Sequence, residues 1–237
     1  MTPVFILVRP QLAENVGTAA RAMMNCAIAE MRLVDPDEDP LCSRAIAASS
    51  GADEILRNAK IFKTVEEAVA DLQKVYATTG RPRDMIKPVF TGQGMAKDIQ
   101  AQQAQGVKCG VMFGPERTGL ENEDVAYADA IVNIPLNPKH CSLNLAQAVL
   151  LTGYEIFRLT DSTAEEYLAT PNTVPADKTE LEHLFSHLED ELEQVGYFRS
   201  PEKKPRMMRN LRSIFLRADL TSQDVRTLHG VITDLRR

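Results

Sequence analysis

Short apolar runs alternate with helical patterns along the first part of the chain. The apolar runs lie at 4–8, 31–34, 75–77, 107–113 and 130–134, and the helical patterns at 18–27, 43–56, 65–72 and 142–159. Each run is long enough for a buried strand and too short for a helix. Strands that alternate with helices are typical of parallel sheets. The sequence therefore predicts an α/β fold with a mainly parallel sheet and helices on both faces.

A segment rich in proline, threonine and acidic residues follows this part and has the composition of a linker. Three helical patterns come after it. The first is opened by a capping box of Thr179 and Glu182, the second follows Pro205, and the third begins near Thr221. The sequence thus predicts an α/β domain at 1–160, a linker at 161–178 and a small helical extension at 179–237.

Charge is segregated along this extension. The net charge is −6, yet acidic residues dominate 161–193 and cations dominate from Arg199 to Arg217. Local field, more than net charge, steers a polyanion toward a protein. A nucleic-acid-binding surface on the second helix is therefore compatible with the acidic composition. The alternative for such a basic run is a solvated helix face.

The cysteines and the hydropathy pattern concern compartment and metal content. Four scattered cysteines, with no C-x-x-C pair, are typical of reduced thiols in the cytosol and not of a disulfide framework or zinc site. No apolar run has the length of a membrane span, and the N-terminus has the pattern of a strand. We expect a cytoplasmic protein with no membrane contact and no metal site.

Three segments combine glycine with small polar residues where a predicted strand meets a helix. They are 14–21 (ENVGTAAR), 113–120 (FGPERTGL) and 134–145 (IPLNPKHCSLNL). Open α/β sheets bind ligands at this position. The first strand is not followed by G-x-G-x-x-G, and no P-loop is present. An ordinary dinucleotide or P-loop site is therefore disfavoured.

In this order the three segments resemble the SPOUT superfamily of knotted methyltransferases, and within it the TrmH-like RNA 2′-O-methyltransferases. The resemblance implies a C-terminal deep trefoil knot in the α/β domain, an exception to the rule against knots. It also implies that loops bind S-adenosylmethionine, and glycine lets their backbone approach closely. Carried over by position, the cofactor-binding residues are Thr78, Thr79, Gly80, Gly114, Glu116, Ile134, Leu136, Cys141, Ser142 and Leu143. Cys141 stands where the resemblance leads us to expect serine.

The resemblance assigns catalytic roles to Arg21, Asn15, Ser142 and Asn144. Methyl transfer to a ribose 2′-OH is an in-line displacement in which the protein supplies orientation and a more nucleophilic hydroxyl. Because the pKa of a guanidinium exceeds about 12, we expect Arg21 to position phosphate and stabilise the nucleophile, with base action as the second alternative. Asn15 is expected to hydrogen-bond Arg21 or the ribose. Without the resemblance, Asn15 would be interpreted as a helix cap and Arg21 as an exposed helix residue.

The extension, at 197–205 (YFRSPEKKP) and 211–218 (LRSIFLRA), is similar to the TrmJ group of this family. The similarity implies methylation of cytidine or uridine at position 32 of the tRNA anticodon loop. It also implies a homodimer in which Arg21 approaches the cofactor loops of the other subunit. The expected RNA-binding residues are Arg21, Lys203, Lys204, Arg206, Arg209 and Arg212.

Several alternatives stay open at this point. One is a related 2′-O-methyltransferase that acts on ribosomal RNA, and another is a catalytically silent, dimeric RNA-binding protein. The sequence leaves the tRNA isoacceptors and the choice between cytidine and uridine open. His183 and His187 have the spacing of a helical metal pair, but with no evident third ligand we expect a solvated face. Cys141 is interpreted as a small residue of a cofactor loop and not as a nucleophile.

Overall fold

The structure is a computed structural model that describes residues 2–80, 85–166, 169 and 172–235. It divides into two compact units, Met1–Thr163 and Ala164–Arg237. The finer division at 160 and 178 stays a prediction. Among the described helices, none combines the length and the apolar character that a membrane span requires.

The first unit contains a seven-stranded sheet in the order β3-β2-β1-β6-β4-β7-β5, in which every described strand pair is parallel. The strands are β1 Val4–Val8, β2 Met31–Val34, β3 Lys60–Phe62, β4 Lys74–Thr78, β5 Val89–Phe90, β6 Cys109–Phe113 and β7 Ala130–Val132. In the register, Leu7 of β1 lies opposite Leu33 on one side and Phe113 on the other. The predicted α/β fold with a parallel sheet is confirmed. Strands β3 and β5, the two edge strands, were not predicted.

Helices cover both faces of this sheet. They are α1 Ala13–Asn25, α2 Ser43–Ser49, α3 Asp53–Arg57, α4 Val65–Val69, α5 Gly92–Ala104, α6 Asn122–Ala126 and α7 Leu145–Phe157. Alternate side chains of β1 point to opposite faces. Phe5 and Leu7 belong to the core that includes α1, α5 and α7, whereas Val4 and Ile6 belong to the core that includes α4 and α6. A strand buried on both faces explains the uninterrupted apolar run at 4–8.

The first two predicted helices differ from the helices of the structure. The helix predicted at 43–56 is two helices, because Ser50 and Gly51 adopt left-handed conformations with φ of 49° and 96°. Helix α1 begins at Ala13, earlier than predicted, and packs closely on α2. A Cβ atom at Gly17 would lie 2.2 Å from the carbonyl oxygen of Ala45, so this crossing requires glycine.

The second unit consists of α8 Lys178–Gln194, α9 Lys204–Leu216 and α10 Ser222–Leu235. The capping box of α8 is formed by Asp177 and Glu180, so the prediction of Thr179 and Glu182 was wrong. The Asp177 carboxylate accepts from the Glu180 amide at 2.8 Å, and the Glu180 carboxylate accepts from the Asp177 amide at 3.0 Å. The end of the predicted linker joins this unit, because the Ala176 amide donates to the Leu220 carbonyl at 2.9 Å.

Two histidines of the second unit pack against each other. The Nδ1 atoms of His187 and His229 are 2.8 Å apart, and their rings stack with centroids 5.0 Å apart. The solvated face expected for both His183 and His187 therefore holds only for His183. Burial, followed by the nearby His187 and His183, lowers the pKa of His229 below its ordinary value. At least one of the two facing nitrogens must be unprotonated to accept a hydrogen bond.

Acid is expected to weaken the packing of α8 on α10 through this pair. Because the pKa of His229 is lower in the folded chain, the unfolded chain binds more protons below its ordinary value of 6.5, so stability falls as the pH drops below that value. Hydrogen exchange of α8 and α10 in the full chain, at about pH 7.5 and about pH 5.5, measures this loss. We expect a smaller loss in His229→Gln than in the wild type. The exposed His183→Gln is the control, and an undiminished loss in His229→Gln contradicts the prediction.

Candidate cofactor and RNA site

A cavity of about 520 Å³ opens at the carboxyl ends of β4, β6 and β7. Its walls come from the loops that follow these strands, within 78–80, 113–119 and 132–145. Every residue predicted to bind the cofactor lines it, and so do Phe113, Arg117, Asn133 and Pro138, which were not predicted as ligands. Its volume is within the range of small-molecule sites in proteins. The structure thus brings together three separate loops of the chain.

The loop that follows β6 folds back on itself and requires glycine at its start. A Cβ atom at Gly114 would lie 2.1 Å from the amide nitrogen of Leu120 and 2.4 Å from the carbonyl carbon of Gly119. The Gly119 amide donates to the Pro115 carbonyl at 2.8 Å, and Gly119 itself has a φ of 69°. No side chain fits at Gly114 without moving this backbone. The loop is therefore shaped by close contact between its own ends.

The loop that follows β4 is held by its neighbours in the sheet. The Thr78 hydroxyl donates to the Met112 carbonyl at 2.8 Å, and the Thr79 amide donates to the Val132 carbonyl at 3.0 Å. Gly80 faces the third loop, because a Cβ atom there would lie 3.9 Å from the Cys141 carbonyl oxygen. Residues 78–80 are thus fixed against the strands on either side of β4.

Hydrogen bonds connect all three sequence segments at one end of the site. The Glu116 carboxylate accepts from the Asn15 amide group at 2.6 Å and from the Gln11 backbone amide at 3.1 Å. The Asn15 Oδ1 atom accepts from the Asn144 amide group at 3.0 Å. Asn144 Oδ1 accepts from the Ala146 amide at 2.9 Å and so caps α7, which explains why this helix starts at Leu145 and not at Ser142.

Arg21 does not line this cavity. At 100° per residue, the side chains of Asn15 and Arg21 leave α1 about 120° apart. Asn15 is bonded to Glu116 and Asn144, and Arg21 is exposed. The structure therefore does not support the expectation that Asn15 hydrogen-bonds Arg21. Of the four predicted catalytic residues, it brings Asn15 and Asn144 into contact and places Ser142 in the cavity wall.

Arg9 is a charged residue near the site that was not predicted. It follows β1 with a φ of 46°, and its guanidinium pairs with the buried Asp124 and lies 3.7 Å from Glu121. The hydrogen bond to Asp124 is the main cause of a raised pKa for Arg9. This pair fixes the start of α6, which follows the loop at 113–119. No local pattern signals a contact between residues so far apart in the sequence.

Large apolar side chains are exposed on and beside α1 and α7, two helices that pack on each other. They are Leu12, Met24, Leu150, Leu151 and Tyr154. Met24 and Arg21 are neighbours on α1 because they are three residues apart, and Leu150 and Leu151 are neighbours of Tyr154 on α7. Exposed apolar side chains that group together are typical of a protein–protein interface. Arg21 lies beside one of these side chains, Met24.

The cations of α9, together with its N-cap residue Lys203, divide into two rows. Lys204 lies 3.0 Å from Glu189 and 2.7 Å from Glu193, and Arg212 lies 2.7 Å from Glu182, all on α8. The second row consists of Lys203, Arg206 and Arg209, which are exposed and make no ion pair within the described range 172–235. At 100° per residue, this row spans about 120° of the helix on the side away from Lys204 and Arg212. Of the predicted RNA-binding cations of α9, the second row is the one left available to phosphate.

Metal binding and disulfide formation are other chemistries open to cysteine, histidine and carboxylate side chains. In 2–80, 85–166, 169 and 172–235, no three histidine, cysteine, aspartate or glutamate side chains are arranged to hold a metal ion. The four cysteines are free thiols. Cys26 and Cys109 are buried, and burial raises the pKa of the Cys109 thiol to about 11. Cys141 is exposed and lines the cavity.

Comparison with known proteins shows which family the chain matches. Residues 2–154 match the SpoU rRNA Methylase family, and residues 179–237 match the tRNA methyltransferase TrmJ C-terminal domain. A tRNA (cytidine/uridine-2′-O-)-methyltransferase TrmJ of Escherichia coli (strain K12) is 33% identical over 98% of this chain and 94% of its own length. The TrmJ of Pectobacterium atrosepticum is 30% identical over 98% of this chain and 95% of its own length.

A solved structure agrees with the sequence matches. The crystal structure of TrmJ from Z. mobilis ZM4 has 43% sequence identity and a TM-score of 0.82, and the match covers all of both chains. The matches of both parts of the chain, together with full-length relatives at 30% identity or more, confirm the resemblance seen in the three segments and in the extension. The chain belongs to the SpoU methylase family and, within it, to the TrmJ group.

Proposed function

We propose that the protein transfers a methyl group from S-adenosylmethionine to the 2′-OH of cytidine or uridine at position 32 of the tRNA anticodon loop. The observation that carries the proposal is the cavity, which is lined by every residue predicted to bind the cofactor. Relatives named as tRNA (cytidine/uridine-2′-O-)-methyltransferases match both units of the chain, and this supports tRNA over ribosomal RNA. The free thiols suit a cytoplasmic enzyme.

The lining of the cavity fits S-adenosylmethionine. Ile134, Leu136 and Leu143 supply apolar surface for an adenine ring, and the loop backbones beside Gly80 and Gly114 supply amides and carbonyls for its edge. When bound, the cofactor supplies an activated methyl carbon. The protein's own contribution is to hold the ribose hydroxyl in line with that carbon. We propose that Ser142, in the cavity wall, holds the ribose hydroxyl in this position.

The active unit is proposed to be a homodimer. Arg21 is outside the cavity of its own chain and beside the exposed apolar surface of α1 and α7. A two-fold symmetric contact through that surface brings Arg21 of each chain toward the cavity of the other. There the guanidinium positions an RNA phosphate and stabilises the developing alkoxide. Asn15 contributes indirectly, because it holds Glu116 and Asn144 in place.

The deep trefoil knot is proposed for the end of the α/β domain. Two observations support it. The third loop, within 132–145, shares one cavity with the loops that follow β4 and β6. Helix α7 then packs against α1 and α5, although it follows β7, which is separated from β1 by two other strands. The helical extension is proposed to bind RNA.

The function is tested with labelled S-adenosylmethionine and either bulk tRNA or ribosomal RNA, followed by mass spectrometry of the modified nucleotide. We expect 2′-O-methylcytidine or 2′-O-methyluridine at position 32 of tRNA. We also expect activity to survive EDTA, because the methyl carbon is already activated on the cofactor. Methylation of ribosomal RNA alone favours the alternative of a ribosomal RNA 2′-O-methyltransferase. RNA binding without methyl transfer favours the alternative of a catalytically silent RNA-binding protein. A loss in EDTA that a divalent ion restores contradicts the proposed chemistry.

The two rows of cations on α9 predict different effects on tRNA binding. Arg209→Gln removes an exposed charge, so we expect weaker tRNA binding. The slope of log binding constant against log salt concentration should become shallower by about 0.7 to 0.9 for each phosphate that the variant no longer neutralises. Arg212→Gln removes a partner of Glu182, so we expect the salt dependence to stay unchanged. Filter binding at several salt concentrations measures both slopes. Equal slopes for the wild type and Arg209→Gln would mean that this row is only a solvated surface.

A further inference from the structure

An exposed aromatic ring lies in the connection between α8 and α9. Tyr197 is 46% exposed, and the ring of Phe198 meets it edge to face, with centroids 5.3 Å apart and an interplanar angle of 78°. Lys204 lies over the other ring of the pair, with its Nζ atom 5.5 Å from the Phe198 centroid. The Tyr197 amide donates to the Leu192 carbonyl at 2.9 Å. The Tyr197–Phe198 segment is thus held to both helices, while Tyr197 itself is partly in solvent.

Cations follow this ring in the chain, and they differ in whether an acid already pairs with them. Lys204, which packs on Phe198, is neutralised by Glu189 and Glu193. Lys203, the residue before it, begins the row of exposed cations that make no ion pair within 172–235. An exposed ring in the same connection as an unpaired cation matches the chemistry of an unpaired nucleotide, whose base stacks and whose phosphate pairs with a cation. A paired duplex offers the phosphates but keeps its bases stacked inside.

We propose that Tyr197 is a stacking platform for an unpaired base of the RNA substrate, and that Lys203 and Arg206 hold the phosphates beside that base. The proposal rests on the proposed function for the identity of the RNA, since an anticodon loop presents unpaired bases. What it adds is a contact to the base itself. The contact is made by Tyr197, which does not line the cavity and is not one of the predicted RNA-binding residues.

The first test uses the absence of tryptophan from the sequence. In Tyr197→Trp the new indole is the single tryptophan of the chain, so its fluorescence reports on this position alone. We expect quenching on titration with an anticodon stem-loop and little quenching with a fully paired RNA duplex of the same length. Tyr127→Trp is the matched control, because Tyr127 is also 46% exposed and lies in the other unit. Quenching by the duplex to the same extent, or no quenching by the stem-loop, overturns the proposal.

The second test separates stacking from charge. Tyr197→Phe keeps a ring, so we expect its affinity for the stem-loop to stay within about twofold of the wild type; Tyr197→Leu removes the ring and should weaken binding at least about fivefold. The salt dependence should be the same in both variants, since each keeps every cation that binds phosphate. Equal affinities of the two variants, or a reduced slope in Tyr197→Leu, overturn the proposal. Circular dichroism confirms folding, and if the leucine variant is unfolded, the tryptophan variant decides the question.

The outcome for the proposed function is read separately. If the wild type transfers no methyl group to tRNA but a single-stranded RNA still quenches Tyr197→Trp, the platform stands and the enzymatic assignment fails. If methyl transfer occurs at position 32 and the quenching is absent, the assignment stands and the platform fails.

Discussion

A refolded mixture of Arg21→Ala and Ser142→Ala chains is expected to show about a quarter of wild-type methyl transfer, although each variant alone is nearly inactive. Refolding the two chains together at equal amounts makes about half of the dimers mixed. If Arg21 serves the cavity of the other chain, each mixed dimer has one undamaged site out of two. Activity on tRNA, with the mixed dimers verified by native mass spectrometry, measures the recovery. No recovery overturns the composite site.

A double variant, Arg21→Ala with Ser142→Ala, refolded with the wild type provides the control. If the sites are composite, a mixed dimer has no undamaged site, and about a quarter of wild-type activity comes from wild-type dimers alone. If both residues serve one chain, the wild-type half of each mixed dimer works and about half of the activity is kept. Composite sites therefore give the higher activity in the first experiment, whereas sites within one chain give the higher activity in the second.

Gly114→Ala is expected to lower the affinity for S-adenosylmethionine by about 5- to 150-fold. Its Cβ atom would lie 2.1 Å from the Leu120 amide nitrogen, so the loop at 113–119 must open to accept it. Overpacking of this kind costs about 1 to 3 kcal/mol, which corresponds to that range of affinity when the loop must close around the ligand. Isothermal titration calorimetry measures the affinity, and circular dichroism shows whether the chain is folded.

Gly80→Ala is the matched control in the same cavity. Among the described residues, its Cβ atom would meet the Cys141 carbonyl oxygen alone, at 3.9 Å, which is an ordinary contact. We therefore expect a smaller loss of affinity than for Gly114→Ala. An equal loss in the two variants would mean that any methyl group added to the cavity blocks the ligand, and that the close turn at Gly114 is not the cause.

The parts of the fold and site that were predictable depend on local sequence. The run at 4–8 is apolar because β1 is buried on both faces, and its length excludes a helix. Loops that combine glycine with small polar residues after a strand are visible without any knowledge of the sheet order. Strands β3 and β5 escaped prediction because they are short, lie at the edges and are partly exposed, so no buried apolar run marks them.

The contacts between distant segments were not predictable. Glu116 meets Asn15 because β1 lies next to β6 in the sheet, which places the residues after these strands side by side. The same applies to the packing of α8 on its neighbours. The acids of α8 neutralise Lys204, and His187 finds His229 on α10. Periodicity placed these residues on a helix face, but it does not say which other helix packs there.

Asn144 lies between two residues of the cavity wall, Leu143 and Leu145, and bonds to two helices of the first unit. Its side-chain oxygen accepts from the Ala146 amide and caps α7, and its amide group donates to Asn15 on α1. Because α7 packs on α1, a ligand that displaced this side chain would remove the first hydrogen bond of one helix and a tether of the other at the same time. Displacing this one side chain would therefore loosen the start of α7 and, at the same time, the helix that carries Arg21.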